Sequence, residues 1–221
     1  MDIINNHPFS NVRRISCSGG SRENAMVNNR QRCGWVPKND TQYLQYHDAE
    51  WGVPLHDDLK LFEMLILEGQ QAGLSWRTIL HKRQNFRKAY DYFNPERIAT
   101  YDESKIESLM SDPTIIRNRL KINSIIQNAK SFLAVKREFG TFNSYIWKFV
   151  GDKPVLNRWE NHDEIPANTI ISDEMSMDLS ERGFKFTGTT ICYSFMQAVG
   201  MVNDHVKSCF RYGEISRLYN Y

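Results

Sequence analysis

The stretch Leu61–Trp76, LFEMLILEGQQAGLSW, puts an acid where a buried helix should end. Leu61, Phe62, Leu65 and Ile66 recur at the i, i+3, i+4 spacing of a buried helical face. That face runs into Glu68, and the pattern breaks at Gly69. Gln70, Gln71, Ala72, Gly73 and Leu74 follow before Ser75, which is placed to cap a second helix with Trp76 in its first turn. A carboxylate beside apolar surface is costly unless something pairs with it. Glu68 is therefore either a group held for a partner or a helix-end acid that reaches water, and the residues alone leave the two evenly matched.

Cysteine and histidine offer a second kind of chemistry. Cys17 stands in a polar N-terminal stretch, and Cys192 lies in the apolar run TTICYSF, as a small buried hydrophobe would. His205 and Cys209 are four apart, so one face of a helix would present both to a metal. Cys33 and His47 stand at the other end of the chain. Together they make a Cys2His2 set, the composition of a closed tetrahedral zinc site with no open position for catalysis. Spacing alone slightly favours four unrelated residues. A third feature is Pro113–Lys121, PTIIRNRLK, where a turn enters a helix. Its backbone N–H groups with Arg117, Arg119 and Lys121 could grip a phosphate, although a solvated basic face is the commoner reason for three charges.

These groups must be positioned by helices. A basic-flanked helix is expected over Thr78–Tyr90, with His81, Lys82, Arg83, Arg87 and Lys88 along one side. Asn94-Pro95 caps another, Asp102 opens one through Met110, and a long one runs from about Asn118 to Val135. Thr141 starts a helix through Val150, Ser172 caps one closed by Gly183, and Thr189–Gly200 reads as buried. Residues 151–171 are irregular, and no alternating strand is evident. The fold expected is all-α. Residues 1–31, rich in Asn, Ser, Arg and Gly, read as a disordered extension, with Met26 as the alternative start. A single helical domain follows over 32–209, then a tail over 210–221.

The net charge is +2 with 41% hydrophobic residues, so affinity for a polyanion would need local clustering rather than the total. No apolar run approaches the ~20 residues of a membrane span, and the N-terminus lacks a secretory core. A cytoplasmic location is expected, with no disulfides.

RCGW, YHDAEWGVP, LFEMLILEGQQAGLSW, IIRNRLKI, RGFKFTGTTICYSFMQAVGMVNDHV and the closing Cys209 resemble, in order, the DNA-3-methyladenine glycosylase I family of bacterial alkyladenine repair enzymes. The resemblance covers about Arg32 to Cys209. It implies an atypical helix–hairpin–helix glycosylase fold, although the usual glycine-rich hairpin is absent. It places a single structural Zn2+ on Cys33, His47, His205 and Cys209, tying the two ends of the domain together. It makes Glu68 the acid that meets a flipped base and Tyr46 a second polar and aromatic contact, the two catalytic residues. Trp76 becomes a stacking wall and Trp35 completes the pocket. Leu74 with Gly73, beside Gln71, becomes the wedge that fills the gap in the stack. The expected partner is double-stranded DNA carrying alkylated bases, and the protein is expected to be a monomer.

The chemistry so implied suits these residue types. N3-methyladenine in DNA is cationic and leaves as a neutral base, so no strong general acid is required. No lysine stands where a Schiff base would form, which implies hydrolytic release without a lyase step. The superfamily's water-activating aspartate has no counterpart, because no Asp lies between Asp112 and Asp152. A zinc-stabilised DNA-binding module without catalysis is the alternative. It leaves the gathering of Glu68, Tyr46 and two tryptophans unexplained.

Overall fold

Short polar residues start almost every helix, each accepting a hydrogen bond from a backbone N–H of the first turn. Asp40 caps α1 (Thr41–Ala49), Asp57 caps α2 (Asp58–Gln71) and Ser75 caps α3 (Trp76–Ala89). Asn94 caps α4 (Pro95–Ile98), Asp102 caps α5 (Glu103–Ser111) and Asn118 caps α6 (Arg119–Phe139). Thr141 and Thr169 cap α7 (Phe142–Trp147) and α8 (Ile170–Glu181). Each such cap contributes about 1 kcal/mol. Two further helices, α9 (Thr189–Ala198) and α10 (Phe210–Leu218), complete the α-helices among the described residues. This computed structural model describes residues 30–218. The extension expected over 1–31, the start at Met26 and residues 219–221 lie almost wholly outside that range.

The helix α2 is buried on every side from Leu61 to Gln70, with α3, α6, α7 and α9 packed around it. A helix apolar all round belongs at the centre of a core, and here it delivers Glu68 there. The helix does not break at Gly69, as its sequence pattern suggested. Gly69 stays helical, and its lack of a side chain leaves room for another chain segment: a Cβ there would lie 3.2 Å from that of Phe186.

Three other expectations are corrected. The cap of α8 is Thr169 rather than Ser172, whose hydroxyl instead completes a capping box with the Thr169 N–H. Residues 210–218 form a helix with Ile215 fully buried rather than a plain tail. A small parallel pair also exists, β1 (Val155–Leu156) beside β2 (Val202–Asn203), with Val155 opposite Val202. Two residues are too few to show alternation in sequence.

The turn that links α9 to β2 depends on Gly200. Its φ is +72°, and a Cβ there would lie 2.4 Å from the backbone carbon of Val53. Gly200→Ala is expected to cost about 2–3 kcal/mol through combined backbone strain and overpacking, read as a lowered denaturant midpoint. An unchanged midpoint would show that the 52–55 segment can shift away freely.

Candidate active site and metal centre

Glu68 sits in the last turn of α2, with its side chain turned towards α1, α3 and α9 across a cavity of about 190 Å³. The cavity is smaller than the ~300–1,000 Å³ of sites for drug-sized ligands, and suits one flat heterocycle. Tyr46 from α1 and Trp76 from the start of α3 form one wall, their ring centroids 5.3 Å apart. Trp35 and Trp51 meet edge to face at 4.9 Å on another side. Gln197 and Ser194 of α9 and Gln71 add polar groups.

Burial is nearly complete at Glu68, which is 3% exposed. Among the described residues its Oε2 has no hydrogen-bond partner, and neither does the indole N–H of Trp76. A native fold rarely leaves buried polar atoms unsatisfied without reason. Loss of water around the carboxyl pushes its pKa up to about 8. Burial first, and then the Glu68 charge, pushes the Tyr46 hydroxyl up as well.

Beyond Glu68 the chain makes a tight turn. The N–H of Leu74 donates to the Gln71 carbonyl at 2.6 Å, Gly73 takes a φ of +73°, and Leu74 is 39% exposed beside it. Only glycine adopts that φ without strain.

Behind the tryptophans lies a second cluster. Cys33, His47, His205 and Cys209 are all buried, with one donor atom of each within 4.8 Å of the others, a set that could hold a metal ion. Sulfur-to-nitrogen separations are 3.5 Å for Cys33–His205 and for Cys209–His47, and 3.6 Å for Cys209–His205. The other ring nitrogens are already engaged. His205 Nε2 meets the Trp51 carbonyl at 3.0 Å, and His47 Nδ1 meets Asp48 at 2.8 Å, itself clamped by Arg32. That fixes which nitrogen of each ring faces the cluster. The neighbouring Cys209 sulfur and burial push the Cys33 thiol well up, while contacts with Cys33, His205 and His47 hold that of Cys209 down. Two adjacent thiolates repel, so both ionise only when a cation balances them. The Trp51 ring packs edge-on against His205 at 4.6 Å, which joins the cluster to the cavity wall.

Residues 35–212 match the family model described as methyladenine glycosylase. The chain belongs to this family. It is 50% identical over 182 residues to DNA-3-methyladenine glycosylase 1 of Escherichia coli (strain K12), covering 82% of this chain and 97% of that protein. It also resembles a crystal structure of 3-methyladenine DNA glycosylase I, with a TM-score of 0.80 and 51% identity, over 81% of this chain and 98% of that one. Another similar structure is a tyrosine-to-phenylalanine variant of such an enzyme in complex with 3-methyladenine, with a TM-score of 0.76 and 36% identity, covering 78% and 92%.

In this methyladenine glycosylase chain, Glu68, Tyr46, Trp76, Trp35 and Gln71 share one cavity, and the four Cys and His residues share one cluster. The three basic residues of 113–121 do not act together. Arg117 is exposed, Arg119 reaches back to Glu103 and Glu107 on α5, and Lys121 is buried with its Nζ on the carbonyls of Gln70 and Ala72. Lys121 therefore does not face a phosphate. Much of the basic flank of α3 is likewise engaged, Arg83 with Glu50 and Glu63, Arg87 with Glu63, and His81 with Asp40. Reading the sequence missed Tyr43, Trp51, Ser194, Gln197, His162 and Ile165 as lining residues. Ser194 and Gln197, three apart on one face of an apolar helix, were the available signal. His162 and Ile165 come from an irregular segment with none.

Proposed function

We propose that this chain is a base-excision repair glycosylase that takes N3-methyladenine out of alkylated duplex DNA and hydrolyses its N-glycosidic bond. The observation that carries the reading is the unpartnered Glu68 carboxyl, buried among aromatic rings in a cavity of one-base size.

Magnitudes favour a cationic base. With a pKa of about 8, Glu68 is mostly protonated at pH 7 in the free protein, yet ionising it there costs only about 1.4 kcal/mol. A cation in contact supplies roughly 4 kcal/mol at an effective dielectric near 20. A positively charged base therefore drives the ionisation, whereas neutral adenine does not. The flanking indoles add ~0.5–2 kcal/mol of cation–π attraction.

Glycosidic cleavage leaves the bonding pair on N9, so the base departs neutral and positive charge passes to the sugar. Glu68 can then regain its proton. Water attacks C1′ and loses a proton to complete the hydrolysis. Holding a cation too tightly would slow its departure, and a carboxyl that readily returns to its neutral form limits that cost. No lysine is among the residues lining the cavity, which supports release without a lyase step.

Leu74 on its exposed turn is the side chain that enters the stack in place of the extruded nucleotide, with Gly73 and Gln71 beside it. The connection 112–118 between α5 and α6 is the hairpin that contacts the strand, through Arg117 and backbone N–H groups. Thr114 in it is held by Asp112, which accepts from both its N–H and its hydroxyl.

The four-residue cluster holds a structural zinc. Zn–S of ~2.3 Å and Zn–N of ~2.0–2.1 Å at a tetrahedral angle put sulfur and nitrogen about 3.5–3.6 Å apart, which agrees with all three separations above. The bound ion would let both thiolates ionise and join residue 33 to residue 209 across the domain. With four protein ligands it would have no open position, so it supplies folding free energy and no chemical step.

The direct test is release of 3-methyladenine from methylated duplex DNA against the corresponding free nucleoside. Release from duplex alone is expected, and Leu74→Ala should slow it by about tenfold or more, the worth of one buried leucine. Equal turnover of the free nucleoside would replace this reading with a nucleoside hydrolase.

A further inference from the structure

Lys121 closes the end of α2 from a different helix. An α-helix leaves its last carbonyls without partners inside the helix. Here each carbonyl from Gly69 to Ala72 is accounted for. The Gly69 carbonyl accepts from the Ala72 N–H and that of Gln71 from the Leu74 N–H, while Gln70 and Ala72 accept from Lys121 Nζ at 2.7 and 2.8 Å. The lysine is 6% exposed. A water molecule or a glycine turn could close a helix at little cost, whereas burying an ammonium is expensive. Lys121 also stands in the first turn of α6, where the helix dipole disfavours a cation. Its placement therefore serves the end of α2 rather than its own helix.

Little else restrains that turn. A Cβ on Gly73 would find no heavy atom within 4 Å, and Leu74 is half-exposed. The same lysine begins two residues after Arg119 and four after Arg117 of the connection read above as the strand-contacting hairpin.

We infer, resting on the reading of Leu74 as the side chain that enters the stack, that Lys121 is a positioning residue for the duplex reaction. It locks the 72–74 turn to the hairpin that ends in α6, so that strand contact and the intruding leucine keep one fixed geometry. It does not touch the base, and its two hydrogen bonds to carbonyls keep it from acting as an amine nucleophile.

The test is a double-mutant cycle between Lys121→Met, which preserves volume without the donors, and Leu74→Ala. Lys121→Met is expected to release 3-methyladenine from methylated duplex about tenfold more slowly, a loss close to one hydrogen bond from a charged donor at the lower end of its usual range. Its affinity for free 3-methyladenine, read from tryptophan fluorescence, should stay within about twofold of the parent, because the cavity wall is intact. In the Leu74→Ala background the same substitution should have little further effect. Losses that simply add, or free-base affinity that falls in parallel with release, would overturn the inference and assign Lys121 to the support of α2. Unchanged release would overturn it as well. Lys121→Gln, which keeps one amide donor, gives a second series should the methionine variant fold poorly, and an intermediate loss is expected from it. Absence of release by the parent protein would instead remove the glycosylase reading, and this inference with it.

Discussion

Glu68→Gln is expected to release 3-methyladenine from methylated duplex about 10- to 100-fold more slowly than the parent, and to melt at a higher temperature in alkaline buffer. The rate follows from chemistry at the unpartnered Oε2. A hydrogen bond to a charged group contributes about 1.5–3 kcal/mol, and glutamine keeps the shape without the charge. The pH dependence separates this from a loss of packing. If the ionised carboxylate receives the cation, kcat/KM of the parent rises with pH until about 8, the pKa of the free protein. The glutamine variant should be flat over that interval. A parent and variant with the same profile would mean that the charge of Glu68 plays no part.

Stability runs in the opposite direction. The folded-state pKa of Glu68 is about 8 against an ordinary value of 4.5, and burial is its cause. The folded protein therefore binds more protons than the unfolded chain between these values, and stability falls as pH rises. The loss is absent below pH 4.5 and complete above about 8, where it amounts to several kcal/mol at ~1.4 kcal/mol per unit. Glutamine has no such titration. The two proteins should melt alike near pH 5 and diverge towards pH 9, with the variant the more stable. Equal slopes of melting temperature against pH would contradict the burial of an uncompensated carboxyl. A protein that keeps this residue accepts instability for the sake of its site.

The centre of the fold was readable because α2 shows an apolar helical face that runs into an acid, although the residues alone left open whether that acid is held for a partner or reaches water. Capping residues fixed most helix starts to within a residue or two. The cluster of cysteines and histidines was different. His47 and Cys209 meet across 162 positions of chain, and no local spacing encodes that meeting, so the resemblance to a family carried it. Lys121 shows the opposite failure. Three basic residues at every second position look like one cluster in sequence, yet on a helix neighbours two apart point to different sides. One stays in solvent, one bridges to α5 and one turns inward. The cavity wall built by Ser194 and Gln197 was hidden for a related reason, since two polar side chains in a buried helix read as core until their shared face is known to meet Glu68. Gly69 was misread because a close approach by Phe186 leaves no trace in the helix's own pattern.

If the cluster holds the zinc proposed for it, removal of that ion is expected to have the largest effect on stability. Structural zinc contributes an apparent ~10–16 kcal/mol in small metal-dependent folds, against a total of roughly 5–15 kcal/mol for a typical domain. His205→Ala or Cys209→Ser should therefore leave a chain that does not stay folded at 37 °C, and a strong chelator should have the same result in the parent. The cause is visible at the cluster. Without a cation nothing balances two thiolates in one buried cluster, and the ligands near residue 33 and residue 209 lose what joins them. Circular dichroism, released zinc and base release followed through a chelator titration should fall together, with turnover per folded molecule constant. Trp51 makes the comparison sensitive, because it lines the cavity while resting on His205 at 4.6 Å. A protein that lost its metal, kept its fold and lost turnover would place the ion in the chemistry rather than beneath it. One that lost its metal and kept both would show that helix packing alone holds the two ends together.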